Sequence, residues 1–127
     1  DRKEARSHVS VVAERIALRH HLHFFPEGTS TDSRRVLSFK PTLFAAVAHE
    51  PIKVQPICLL YHAPKGEDDR FYGWWGDMGF GPSLLQILAV PRQGKLQIHY
   101  LDAIDAEPID RKALASQLER AVHSVFV

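Results

Sequence analysis

An α/β domain, with helices packed on a sheet, is the fold class this sequence predicts, and three observations predict it. Segments near each end of the chain repeat apolar residues at helical spacing. Residues 95–101 alternate apolar and polar residues as a half-buried strand does. Shorter helical and β-like runs interleave between them, in the order helix, strand, helix, strand, helix, strand, helix. The chain is 127 residues long, enough for one domain with a real core and too few for two of ordinary size. Residues 1–127 are therefore read as a single domain.

The elements follow in chain order. In residues 3 to about 19, Val9, Val12, Ala13 and Ile16 fall at i, i+3, i+4 and i+7, one face of an amphipathic helix. Residues 21–25 (HLHFF) form a β-run that stops at Pro26, and residues 26–35 (PEGTSTDSRR) are turn chemistry. Pro41 suits the first turn of a second helix, where its missing N–H costs nothing, with Leu43, Phe44, Val47 and Ala48 facing the core. Residues 53–62 read as a strand at an edge, or one bulged around Pro56.

Residues 64–70 (PKGEDDR) are an exposed loop. A glycine- and aromatic-rich stretch then leads to Gly81–Pro82, the start of a short helix carrying Leu84, Leu85, Ile87 and Leu88. In residues 95–101, Leu96, Ile98 and Tyr100 take one face and Gln97 and His99 the other. Asp110 caps a last helix whose Leu114, Leu118, Ala121, Val122 and Val125 form an apolar stripe.

Composition excludes several functions. Hydrophobic residues at 45% and charged ones at 24% fit neither disorder nor a fibrous repeat. Sixteen Lys and Arg against fifteen Asp and Glu give a net charge of +1, which speaks against a nucleic-acid partner held by dense phosphate contacts. Cys58 is the only cysteine, so neither an internal disulfide nor a cysteine-rich zinc site is expected; its apolar setting (ICLL) reads as core. His20, His21 and His23 cluster, but no carboxylate or cysteine stands at a persuasive distance, and they read as surface or partly buried histidines with no metal. No apolar run approaches the ~20 residues of a spanning helix.

Two stretches carry alternative readings. The rings Phe71, Tyr72, Trp74, Trp75 and Phe80, with Met78, suit either a membrane–water interface or a packed turn, with some rings serving each. Arg2, Lys3, Arg6, Arg15 and Arg19 would meet anionic lipid, but Asp1, Glu4 and Glu14 dilute them, and a solvated helix face is the reading taken.

One segment has the makings of a site: Phe24-Phe25-Pro26-Glu27-Gly28-Thr29-Ser30. A hydrophobic run ends abruptly, proline turns the chain away, and glycine permits backbone shapes other residues resist. Free N–H groups and hydroxyls on such a loop can hold an anion, and Glu27 adds a carboxylate able to accept from a hydroxyl or orient a cation.

Phe25-Pro26-Glu27-Gly28-Thr29 resembles the F-P-E-G-T block of the PlsC-like glycerolipid (lysophospholipid) acyltransferases. The flanks extend the likeness. Val36-Leu37-Ser38-Phe39-Lys40 resembles the stretch whose Phe-Lys pair opens the next helix, and Val54-Gln55-Pro56-Ile57 the V-x-P-[IV] block. Trp75-Gly76-Asp77-Met78 with Pro82-Ser83-Leu84-Leu85 resembles the region after that in bacterial members. Asp1-Arg2 looks like the end of the block whose arginine meets the acceptor's phosphate. The likeness covers residues 1 to about 101.

The resemblance implies the carboxyl-terminal part of a glycerol-3-phosphate (1)-acyltransferase-like domain, three-layer-like, with a sheet flanked by helices. It implies transfer of a fatty acyl group from acyl-CoA or acyl-carrier protein to the hydroxyl of a lysophospholipid such as lysophosphatidic acid, in phospholipid biosynthesis, with no other cofactor. Substrate contacts would come from Arg2, Glu27, Gly28, Thr29 and Ser30: Arg2 on the phosphate, the Gly28–Thr29 backbone as donor, Glu27 holding a hydroxyl or a clamping arginine. The enzyme would sit peripherally on the cytoplasmic face of the membrane. Uncovered sheet and apolar surface would favour self-association of these residues alone.

Three departures qualify the likeness. The family's base is a histidine with an aspartate five positions on. None of the eight histidines here has one; His62 with Glu67 is nearest, and it lies beyond the F-P-E-G-T block. The pair is expected upstream, so no catalytic residue is expected within these residues and they alone should not catalyse transfer. Ser30 stands where many members carry arginine, leaving Arg34 or Arg35 to substitute if the loop folds back. Pro41-Thr42 replaces a basic residue and glycine. The alternatives are a non-catalytic headgroup-binding or regulatory module of the same family, or a nucleotide hydrolase, the latter disfavoured by the lack of a G-x-x-x-x-G-K-[ST] loop.

Overall fold

The computed structural model describes residues 2–126, with Arg2 described by its backbone alone. α1 spans Arg2–Ala17. Of its predicted apolar face, Val9, Val12 and Ile16 are half-buried and Ala13 is exposed. Its end is a Schellman turn: Arg19 N–H donates to Ile16 O at 2.8 Å and His20 N–H to Arg15 O at 3.1 Å. That geometry places Arg19 at φ 57°, in the left-handed region that glycine favours.

Residues 21–25 do not form the expected strand. A strand needs a ladder partner, and among the described residues no strand pairs with them. His21 and His23 point to solvent, while Phe24 packs edge-on against Phe44, ring centres 5.3 Å apart. The second predicted helix is a single 3-10 turn, Leu43–Ala46. The chain leaves it through His49 at φ 65°, and Pro51 then disfavours helical geometry at Glu50.

β1 (Lys53–Val54) and β2 (Ile57–His62) are separated at Pro56, which has no N–H to give to a ladder. β2 pairs antiparallel with β3 (Lys95–Tyr100), Ile57 opposite Tyr100, and β1 with β4 (Ile104–Asp105), Lys53 opposite Asp105. Between the two ladders the register slips by one residue, residues 101–103 facing residues 55–56, so the extra residue lies on the strand opposite the proline. The expectation of a sheet flanked by helices in layers is thereby corrected. The fold is mixed helix and strand, but the β structure among the described residues is two two-stranded ladders.

β3 alternates as expected, with Leu96, Ile98 and Tyr100 on one face and Gln97 and His99 on the other; Gln97 and His99 are the more buried residues, while Leu96, Ile98 and Tyr100 are exposed. The register explains it: His99 lies opposite Cys58, which is 1% exposed, so the inward side of the ribbon is the one carrying Cys58 and His99.

α2 spans Phe80–Ala89 and α3 Arg111–His123. Asp110 caps α3 as expected, its carboxylate accepting from Lys112 N–H at 2.8 Å and Ala113 N–H at 3.1 Å. The core joins Leu114, Ala115 and Leu118 of α3 to Phe44 and Val47 beside the 3-10 turn and to Ala106. Ile16, Phe24, Phe39, Val54 and Ile104 pack around it.

Arg19→Gly is expected to stabilise the protein by about 1 kcal/mol, because it removes the left-handed penalty at the end of α1; chemical denaturation measures it. The two N–H donors at Ala113 and Lys112 hold the Asp110 carboxyl below its usual range. Its contribution is therefore complete above the unfolded value of about 4 and fades as pH falls through the folded value. Asp110→Ala should lower the melting temperature at neutral pH, and the gap to the parent should close in acid.

Candidate functional site

The segment that carries the F-P-E-G-T residues leaves the core at Phe24 and returns to it at Phe39. Both rings rest on Phe44, Phe39 stacked at 6.5 Å between centres. Two hydrogen bonds close the neck of this excursion: Lys40 N–H donates to Pro26 O at 2.9 Å, and Leu37 N–H to Glu27 Oε2 at 2.7 Å. Glu119 of α3 accepts from Phe39 N–H at 2.9 Å, tying the return limb to the helix that carries Leu114 and Leu118 of the core. The loop's position is thus fixed by buried aromatics although its tip is exposed.

Pro26 and Glu27 occupy the centre of a turn in which Gly28 N–H donates to Phe25 O at 3.2 Å. Gly28 has φ 73°, the left-handed geometry that the sequence reading assigned to a glycine. A Cβ there would stand 2.8 Å from Lys40 Nζ. The ammonium of Lys40 therefore lies against the glycine of the motif, and it makes no ion pair with another described residue.

Four of the five predicted contact residues, Glu27 to Ser30, have a definite place. Glu27 is half-buried, one carboxylate oxygen engaged by Leu37. Gly28, Thr29 and Ser30 are exposed in sequence along the loop. Because the Gly28 N–H is spent on its own turn, the backbone donor left at this point is that of Thr29. The side chain of Arg2 and all of Asp1 lie outside the described residues.

The two loop arginines are committed elsewhere. Arg34 pairs with Asp69, and Arg35 with Asp32 at 3.0 Å. The Arg35 guanidinium, ahead of every other influence, holds the Asp32 carboxyl below the usual carboxylate range. Arg35–Asp32 closes within the loop, while the Arg34–Asp69 pair fastens the loop to residues 68–75, as does the bond from Trp74 N–H to Thr31 O at 3.0 Å. Gly73 makes that contact possible, since a Cβ on it would meet Asp32 backbone at 2.7 Å. Lys40 is the cation that the sequence reading did not single out; a lysine next to Phe39 gives no sign of its fold-back until the neck is seen to close.

Cys58 lies beneath this region, and burial, then the charge of Glu27, pushes its thiol up. A protonated, buried thiol is core rather than nucleophile. No three His, Cys, Asp or Glu side chains stand together as a metal site among the described residues. Two shallow concavities, about 230 Å³ beside Tyr61, Tyr72 and Lys95 and about 460 Å³ beside Ile104 and Arg120, lie away from the loop. The loop presents an open cradle: one carboxylate, one ammonium, adjacent hydroxyls and a free N–H.

Residues 1–60 match the family model described as Acyltransferase. Over 98% of its length the chain is 45% identical to the lyso-ornithine lipid O-acyltransferase of Rhodobacter capsulatus, covering 47% of that protein. The enzymes of the same name from Rhizobium meliloti and Brucella abortus are 32% and 33% identical over 90% and 92% of the chain, which covers 42% and 48% of them. The chain thus spans about half the length of the curated relatives it matches. No solved structure matches it.

Gly28→Ala is expected to cost about 1–2 kcal/mol, the penalty of a left-handed alanine, and to push Lys40 Nζ off the loop. Denaturant unfolding reads the first, and the chemical shift of the labelled lysine Nζ the second.

Proposed function

Because the chain belongs to the acyltransferase family, we propose that it forms the acceptor-holding part of an enzyme that acylates the hydroxyl of a lysolipid, with lyso-ornithine lipid as the preferred acceptor. The observation that carries this reading is the 45% identity, over nearly the whole chain, to a protein named for that activity. The loop's charges support it. With Arg34 and Arg35 paired to aspartates, a single ammonium, Lys40, stands at the motif. One ammonium suits the single negative charge of an ornithine carboxylate, whereas a phosphate is better met by a bidentate guanidinium.

In this reading the acyl carbonyl carbon of a thioester, from acyl-CoA or acyl-carrier protein, forms a new C–O bond with the acceptor hydroxyl. The C–S bond breaks, and the hydroxyl's proton ends on the departing thiol. A thioester is already activated, so the chain's own residues have to hold and orient. Lys40 meets the headgroup anion, Thr29 N–H and its hydroxyl bracket the acceptor, and the free oxygen of Glu27 accepts from an acceptor donor group. The base is the family's histidine–aspartate pair, expected outside residues 1–127. Should that pair prove missing from the whole protein, the reading becomes that of a headgroup-binding module.

The test uses the complete protein that contains this chain, with acyl-CoA and acyl-carrier protein as donors and lyso-ornithine lipid and lysophosphatidic acid as acceptors. Transfer is expected with the higher kcat/KM on lyso-ornithine lipid; a preference for lysophosphatidic acid would overturn the headgroup assignment. Glu27→Gln keeps an oxygen for Leu37 N–H and removes only the charge, so the fold should stand while kcat/KM for the acceptor falls by about tenfold. Unchanged kcat/KM would remove Glu27 from the site.

A further inference from the structure

We propose that α2, together with Trp74, is a membrane-docking element: a helix that lies in the interface plane of the lipid surface and seats its outward apolar face among the acyl chains. The proposal rests on the lysolipid reading, which requires a bilayer-borne acceptor, and it deepens that reading by assigning the surface that meets the bilayer.

The sequence sets this segment apart. Across residues 71–90 the only charged residue is Asp77, and α2 itself carries none. The structure then turns the helix inside out. Ser83 and Ile87 are half-buried toward the protein, whereas Phe80, Leu84, Leu85 and Leu88 share the outward face. Phe80 is 62% exposed, Leu85 67% and Leu88 68%, and α2 buries none of its residues. A helix resting on a core shows the opposite polarity, and a contiguous apolar patch of this kind marks an interaction surface.

The occupant is chosen by what surrounds the patch. Trp74 packs edge-on against Phe80 at 5.5 Å, and its indole N–H donates to Met78 O at 2.7 Å. The ring's polar edge is satisfied within the turn, and its apolar body, 43% exposed, extends the patch. The one exposed polar side chain of α2, Gln86, follows Leu85 about 100° further round the helix and so stands off the apolar arc. The Ser83 hydroxyl is turned back onto Gly79 O, which leaves a protein partner no polar group on that arc to fix its orientation. One unpaired cation borders the patch: Arg92, which makes no ion pair with another described residue, follows α2 directly, whereas the Arg70 guanidinium, 5.6 Å over the Trp75 ring, is already paired with Asp68 at 2.8 Å. Tryptophan and arginine around an uncharged aliphatic stripe complement anionic headgroups over acyl chains. At ten residues α2 is about 15 Å long, too short to cross a bilayer and suited to lying along one.

The experiment is flotation of the complete protein with vesicles of phosphatidylethanolamine and phosphatidylglycerol, with tryptophan emission followed in vesicles of brominated lipid. The parent is expected to float, and its emission to shift to the blue and be quenched. Leu85→Ser with Leu88→Ser should lower partitioning by at least about tenfold. Leu18→Ser, at an exposed leucine beyond α1, should leave it unchanged, and Leu88→Trp should bind at least as tightly as the parent.

Equal flotation of the double variant overturns the proposal. So does a vesicle-free dimer that the double variant splits, because the patch then belongs to a second copy. Flotation without a change in tryptophan emission overturns it too, because the patch is then covered by the polypeptide itself. Transfer to lysolipid dispersed in detergent separates the two readings. Transfer by both proteins, with docking lost, upholds both readings; failure of the parent on every lysolipid removes the acyltransferase reading while flotation still reports the docking.

Discussion

Everything the candidate site does depends on one buried ring. Phe44, at the 3-10 turn, receives Phe24 edge-on and Phe39 face-on, so both limbs of the motif-bearing excursion are held by the same core residue. Aromatic contacts of this kind add to the area they bury and are directional. The pinned limbs bring Lys40 N–H to Pro26 O and Leu37 N–H to Glu27. Without them a run of Gly, Thr, Ser and Asp would have no reason to keep one shape, since such residues offer the backbone many local alternatives. The exposed tip is organised from below, by residues that never meet a ligand.

That arrangement also decides which charges remain available. A loop with two arginines and a lysine could present three cations, yet Asp32 and Asp69 neutralise the guanidiniums, Arg35 inside the loop and Arg34 as a fastener to residues 68–75. These exposed pairs contribute little to stability; their effect is on geometry. Once the neck closes, the remaining ammonium is carried onto Gly28 by its own backbone bond to Pro26. Selectivity for a headgroup with a single negative charge would then come from subtraction, with two candidate clamps tied back and one left.

The parts of the fold that were legible in the sequence are those whose cause is local. The Asp110 cap, the α3 stripe, the break at Pro56 and the glycine turn of the motif each follow from a few neighbouring residues. Residues 21–25 show the limit, because β propensity forms nothing without a partner strand, and Phe24 found an aromatic neighbour instead. β3 shows a different limit. Alternation tells which residues share a face but not which face turns inward, and it is the register opposite Cys58 that decides it. Lys40 was illegible for a third reason: its place depends on two hydrogen bonds formed by residues more than ten positions before it and beside it.

The same inversion of polarity appears twice, and the two cases differ in a way that bears on function. On the ribbon, Leu96, Ile98 and Tyr100 face outward while His99 Nε2 is buried without a hydrogen-bond partner. On α2 the outward apolar face has no such orphan behind it, and its flanking ring, Trp74, is tied by its own N–H to the return of the turn. Trp74 also gives its backbone N–H to Thr31 O, one residue past Ser30, and Gly73 lets that limb approach Asp32 closely. The helix assigned to the lipid surface and the loop assigned to the acceptor headgroup are therefore joined through adjacent residues. A headgroup at the bilayer surface would need to travel only a short distance to the cradle while its acyl chain stayed among lipids. That economy follows from one glycine without a side chain and one tryptophan bonded at both its backbone and its ring.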